Sequence, residues 1–376
     1  MKCSPKIYSC SSCGAAAKYD PDSANLKCDF CGSATEIDLG DATIHEYKLE
    51  DDLNRSDTLL PNTEIKDTNC KNCGSNFSME QYASSALCPH CATPIIVEFI
   101  NKIKPEAILP FRVTQKKAKS IFADWIGSLW LAPNELKHLV DTDKKMFGYY
   151  LPFWTFDSDT TTDYQGQRGD IYYVTVERRV VEDGKERIIQ EREERIDWNY
   201  VSGRISRHFD DITVEANKKL PINILSSLAP WSTKSAMAFD SRFLSGFASQ
   251  EYSIPLKDGF DRAIGIMKRE IEGDIETDIG GDRQQIDSMN TNYYDPSYKN
   301  ILLPIWTTHF KYKGKEYHYA INGDSGKITG DRPYSYTKVA LLVGAIALAV
   351  AAGVYLWQQQ PTSTTNTIQY QQSVYR

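Results

Sequence analysis

The chain has 376 residues, 41% hydrophobic and 25% charged, with nine cysteines and a formal net charge of −7. That length holds more than one domain, and so ordinary a composition excludes a fibrous or wholly disordered protein. The acidity sits at one end, because residues 1–100 carry 8 Lys and Arg against 15 Asp and Glu, a balance that repels phosphate and argues against a nucleic-acid partner there.

Eight cysteines form two copies of one pattern: Cys10-x-x-Cys13 with Cys28-x-x-Cys31, and Cys70-x-x-Cys73 with Cys88-x-x-Cys91, with fourteen residues between the pairs each time. A Cys-x-x-Cys turn places two sulfurs on one ion, and the intervening stretch returns a second such turn from the opposite side. The pattern predicts two zinc ribbons, each holding one structural Zn2+, over residues 1–40 and 67–100, with an acidic linker at 41–66. Gly14, Gly32 and Gly74 follow the second cysteine of three pairs, where the turn needs positive φ. Ala92 stands at the fourth, and irregularity is expected there. A redox Cys-x-x-Cys would occur once rather than as matched duplicates, and Met1-Lys2-Cys3-Ser4-Pro5 is no secretory leader that would favour disulfides. Cys3 is a spare thiol, and His90, inside the fourth turn, is flanked by two better ligands.

Residues 101–335 read as a mixed α+β region with antiparallel sheet. A helix is predicted over Thr114 to Leu131, with Ile121, Phe122, Trp125, Ile126 and Leu129 on one face and Lys116, Lys117 and Lys119 on the wet side. Aromatic and alternating segments predict strands at Gly148–Asp157, Asp170–Val181 and Glu186–Tyr200, the last two joined by a turn at Asp183-Gly184. A second helix runs from Ile254-Pro255 to about Ile279 with Leu256, Phe260, Ile264, Met267, Ile271 and Ile275 on one stripe. Leu303-Pro304-Ile305-Trp306-Thr307 then repeats Leu151-Pro152-Phe153-Trp154-Thr155, which suggests an internal duplication. A strand meander closes the region. Trp154, Trp198, Trp231 and Trp306 are read as core rather than as a ligand groove.

Gly323-Asp324-Ser325-Gly326-Lys327 resembles a phosphate loop only superficially, with two residues between its glycines instead of four and Ile328 where a magnesium-binding hydroxyl belongs. It reads as a hairpin turn. His45, His90, His138, His208, His309 and His318 are scattered singly. No catalytic constellation emerges, so the expectation is a protein that is not an enzyme and has no small-molecule substrate.

Val339 to Trp357 is nineteen residues without a charge, ~29 Å as a helix and about one hydrocarbon core. Tyr334, Tyr336, Tyr355 and Trp357 suit the two interfaces, and Lys327, Arg332 and Lys338 before the segment outnumber Arg376 after it. One transmembrane helix over 338–357 is therefore predicted, single-pass in the cell (inner) membrane, with the N-terminal domains cytoplasmic and residues 358–376 a disordered polar tail.

These features together resemble a bacterial family of membrane-anchored double zinc-ribbon proteins, whose members carry labels such as primosomal protein N′/superfamily II helicase-like or TFIIB-type zinc ribbon-containing protein. The likeness rests on the two ribbons, on Gly148 to Asp170 and on Leu303 to Pro333. A helicase activity is not implied, since no Walker loop or ATPase core is present. The resemblance implies protein partners of the phage-shock or flotillin-like membrane type and a role in membrane-stress organisation. The expected function is a cytoplasm-facing adaptor recruiting partners to the membrane. A membrane-tethered nucleic-acid-binding protein linked to replication and a thiolate-based metal or redox sensor are the alternatives.

Overall fold

The computed structural model describes residues 6–53, 67–134, 146–182, 185–312 and 314–358. Cys3, His138, Asp183, Gly184, Lys313, residues 54–66 of the linker and the polar tail beyond 358 lie outside them. The first cysteine quartet is carried by β1 (Ala17–Asp20), β2 (Asn25–Cys28) and β3 (Ala34–Thr35), a three-stranded antiparallel sheet. A short strand β4 (Tyr47–Lys48) and helix α1 (Leu49–Leu53) follow. The second quartet is carried by the pair β5 (Asp67–Asn69) and β6 (Asn76–Ser78), and by β7 (Ala83–Leu87) and β8 (Pro94–Ile96).

Next come β9 (Ala107–Ile108), α2 (Gln115–Ser128), β10 (Phe147–Glu182), β11 (Lys185–Glu215), α3 (Ile222–Ser227), β12 (Met237–Ala238), β13 (Ala248–Gln250), α4 (Leu256–Ile279), β14 (Arg283–Tyr312), β15 (Lys315–Asn322), β16 (Ile328–Gly330) and α5 (Tyr336–Gln358). Among the described residues, eleven strands join in one mixed sheet with the central order β12-β9-β14-β10-β13-β7-β8. The fold is thus α+β, with two four-cysteine clusters, antiparallel and mixed sheets, and an apolar C-terminal helix.

The three strands expected between Gly148 and Tyr200 are parts of two much longer ones. β10 spans 36 residues and β11 spans 31, because Asp157 to Gly169, polar and glycine-containing, continues the pleat. Ser158, Thr160, Thr162 and Tyr164 alternate as a buried face, and β14 covers the other edge from Arg283 onward. The alternation was present in the sequence, but its buried positions are hydroxyls rather than aliphatic side chains. These find partners inside: Thr162 meets Thr291 across the strands at 2.8 Å, and Ser158 donates to the Tyr294 carbonyl. Burying them unpaired would cost about 1–3 kcal/mol each.

α4 lies against this sheet as its periodicity predicts. Leu256, Ala263, Met267, Ile271, Ile275 and Ile279 are buried in one cluster with Trp154, Phe156, Phe209 and Val214, each large side chain contributing about 1.5–3 kcal/mol of burial. Gly259 lets the helix approach, since a Cβ there would stand 2.5 Å from Trp154 Cδ1. The helix stops at Gly280, whose φ is 66°.

The two Leu-Pro-x-Trp-Thr runs lie antiparallel at the centre of the sheet, with Leu151 opposite Leu303. Around them the arrangement is matched: β9 pairs parallel with β14, and β13 pairs parallel with β10. Trp154 Nε1 donates to the Ile254 carbonyl just ahead of α4, and Trp306 Nε1 to the Val113 carbonyl just ahead of α2. Both indoles are buried, whereas Trp198 is 40% exposed on the long hairpin.

By its contacts the chain divides into two compact units, residues 1–122 with 144–330, and residues 123–143 with 331–376. In the second unit, Lys338 at the start of α5 donates to the carbonyls of Trp130 and Ala132 and to Asn134 Oδ1. Residues Tyr336–Trp357 make this helix long and apolar enough to cross a membrane. Its apolar side chains stand open, with Leu341 and Leu348 each 74% exposed.

Candidate metal centres

All eight cysteines singled out by spacing are brought together in two sets of four. In the first, Cys10 and Cys31 sulfurs are 3.6 Å apart and those of Cys13 and Cys28 are 3.5 Å apart. In the second, Cys70 and Cys91 are separated by 3.6 Å, and Cys73 and Cys88 by 3.8 Å. A tetrahedron of thiolates ~2.3 Å from a central ion has edges of about 3.8 Å. Both quartets therefore have the dimensions of a metal site, and none of the eight is in a disulfide. His90 is exposed and belongs to neither set.

The local backbone explains the geometry. In every turn the residue after the second cysteine donates its N–H to the carbonyl of the first: Gly14 to Cys10, Gly32 to Cys28, Gly74 to Cys70 and Ala92 to Cys88, at 2.7–2.9 Å. The three glycines have φ of 75°, and Ala92 adopts 56°. The fourth turn therefore departs in φ from the other three yet closes with the same hydrogen bond, because closing the turn outweighs the alanine's left-handed strain of about 1–2 kcal/mol. The first cysteine of each pair is buried, whereas Cys13, Cys31 and Cys73 are exposed and Cys91 is half-buried.

Polar groups surround the sulfurs. Ser33 Oγ is 3.2 Å from Cys31, Ser75 Oγ 3.1 Å from Cys73, and Thr93 Oγ1 3.1 Å from Cys91, while Asn72 Nδ2 donates to Cys91 at 3.7 Å. The Ser33 hydroxyl and backbone N–H hold the Cys31 thiol down at about 6, and Thr93 does the same for Cys91, also about 6. Burial lifts Cys70 to about 11. At Cys13 the backbone N–H of Ala15 is outweighed by the adjoining thiols of Cys28 and Cys31, and the group rises to about 12. Some sulfurs are thus prepared as thiolates while their neighbours resist a second negative charge, a conflict that a divalent cation between them removes. These hydroxyl groups were not picked out from the sequence. Their signal was there, a Ser or Thr two places after the last cysteine in three of the four turns.

A third group of metal-binding side chains, Glu46, Asp157 and Asp211, also converges, but the protein supplies its own cation. Lys299 Nζ lies 2.6 Å from both Glu46 Oε1 and Asp211 Oδ1, and its side chain is 7% exposed. Burial pushes the Asp157 carboxyl upward. With Tyr298 donating to Asp52 and β4 pairing with β14, this ion cluster fastens the segment after the first quartet to the large sheet. The Gly323–Lys327 segment is the predicted turn, closed by Asn322 Oδ1 accepting from the N–H groups of Asp324 and Ser325. His309 and His318, isolated in sequence, face each other across β14 and β15.

Two N-terminal four-sulfur clusters that fit a double zinc ribbon, a mixed α+β sheet, and one helix apolar enough to span a membrane define the class of chain. No family model matches it, and no solved structure does. The chain is similar to the uncharacterized protein YdjG of Bacillus subtilis (strain 168), with 25% identity over 355 residues, covering 90% of this chain and 94% of that one.

Proposed function

We propose that the chain is a non-enzymatic zinc protein of the membrane-anchored double zinc-ribbon kind, held in a membrane by α5, whose soluble part recruits protein partners to the cytoplasmic surface. Zinc is favoured because an all-thiolate tetrahedral quartet suits a soft-tolerant ion without geometric preference of its own, and closed four-ligand sites are structural rather than catalytic. The observation that carries the reading is the pair of sulfur quartets at zinc-site dimensions. Membrane insertion is supported by the open apolar surface of α5, which water disfavours by about 25 cal/mol per Å². Orientation is supported by Lys327, Arg332 and Lys338 on its N-terminal side. The acidic first hundred residues favour protein over nucleic acid as partner.

The test is protease accessibility of the full-length chain in sealed membrane vesicles of both orientations, combined with crosslinking in cells. The sulfur modules should be cleaved only in inside-out vesicles, and crosslinking should recover defined proteins. Cleavage only in right-side-out vesicles, or recovery of nucleic acid alone, contradicts the proposal.

A further inference from the structure

Between the two four-cysteine modules lies a groove of about 1030 Å³, at the upper end of ordinary ligand sites. We propose that it is the docking site for an acidic peptide segment with apolar side chains. This rests on the adaptor reading above and names the chemistry of the partner it would take.

The lining divides into an apolar floor and a basic rim. Ile96 is buried, and the Phe99 and Phe239 rings meet edge to face with centroids 5.4 Å apart. Around this floor stand Lys6, Lys71 and Lys104, with Glu98 as the acidic member of the lining. The contrast with the surroundings is what identifies the ligand. Two of the eight basic residues among the first hundred, Lys6 and Lys71, converge on this groove although that part of the chain carries 15 acidic residues. A long polyanion would run past the three lysines onto a part of the chain with a net negative charge, which disfavours it. A short acidic segment need contact only the rim, while its apolar side chains cover the floor.

Both sulfur clusters build the walls. Gly14, in the turn after Cys13, and Lys71 and Asn72, between Cys70 and Cys73, line the groove. Asn72 is held by Thr93 Oγ1 at 2.9 Å as well as by Cys91, and the backbones of Lys6 and Ile96 pair across the junction. Occupancy of both quartets therefore sets the groove's shape, and loss of either metal should release the ligand.

The test uses the zinc-loaded full chain in lipid nanodiscs and the fluorescence anisotropy of a labelled peptide in which glutamate alternates with leucine and phenylalanine. Binding should be saturable, weaken with salt, and fall about tenfold or more when Lys6→Glu and Lys71→Glu are combined, with zinc content unchanged. A milder pair, Lys6→Gln with Lys71→Gln, should give a smaller loss and guards against misfolding of the first. A peptide with lysine in place of glutamate should not bind, nor should a single-stranded oligonucleotide compete. Equal binding of both peptides, competition by the oligonucleotide, or unchanged binding by both zinc-replete variant pairs overturns the proposal. If crosslinked partners in cells are unaffected by these substitutions, the groove fails while the adaptor reading stands. If the peptide binds as expected and wild-type cells yield no protein partner, the adaptor reading fails instead.

Discussion

Ala92→Gly isolates the strain in the fourth cysteine turn. Ala92 has φ of 56° and is exposed, so removing its methyl group sacrifices little packing. A non-glycine residue in the left-handed region costs about 1–2 kcal/mol, and glycine returns about 0.4–1 kcal/mol of freedom to the unfolded chain. The net gain is about 0.5–1 kcal/mol. If closure of the turn between Cys88 and Ala92 is coupled to binding of the ion, that gain emerges as metal affinity at the second quartet, about two- to fivefold at 1.4 kcal/mol per tenfold. Competition against a chromogenic chelator, with the first quartet disabled by Cys10→Ser and Cys13→Ser, gives the ratio directly. The reverse change, Gly32→Ala with the second quartet disabled, should weaken the first by a similar factor. An unchanged or lowered affinity for Ala92→Gly would refute the claim that turn closure imposes this conformation.

Other perturbations probe the α+β part. Lys299→Met removes the buried ammonium that pairs with Glu46 and Asp211, and should cost about 3–5 kcal/mol in chemical denaturation of the detergent-solubilised chain; a loss below about 1 kcal/mol would show the cluster to be dispensable. Trp154→Phe and Trp306→Phe each remove one buried N–H and orphan a carbonyl, so both should destabilise by about 1–3 kcal/mol, and a markedly unequal pair would break the two-fold match. Tyr19, Tyr164 and Tyr252 are pushed up to about 12, mainly by burial, and Tyr47 also to about 12, mainly by its hydrogen bond to Glu106. Their folded pKa values exceed the unfolded value of about 10, so their contribution is complete below pH ~10 and is lost as pH rises toward ~12. Thermal melts across that window should fall steeply, and Tyr252→Phe should flatten the fall.

What the sequence disclosed follows from how local its signals were. Each cysteine turn is written in four consecutive residues, and α4 and α5 in regular apolar spacing or its continuous form, so all were legible. β10 was only partly so. From Ser158 to Tyr164 its buried positions are Ser, Thr, Thr and Tyr, and hydroxyls become interior residues only when cross-strand partners far along the chain satisfy them. The Lys299 cluster was hidden for the same reason, since Glu46 lies 253 positions from the lysine it neutralises. The repeated Leu-Pro-x-Trp-Thr was visible, but not that the two copies pair with each other or that each tryptophan donates to the segment leading into the other copy's helix.

Whether each sulfur quartet holds one zinc ion is read from elemental analysis of the purified full chain by plasma mass spectrometry. Two zinc atoms per chain are expected, one after combining Cys70→Ser with Cys73→Ser, and none after adding Cys10→Ser and Cys13→Ser. Wild-type chain carrying clearly fewer than two zinc atoms, or carrying iron at the same stoichiometry, would overturn this assignment.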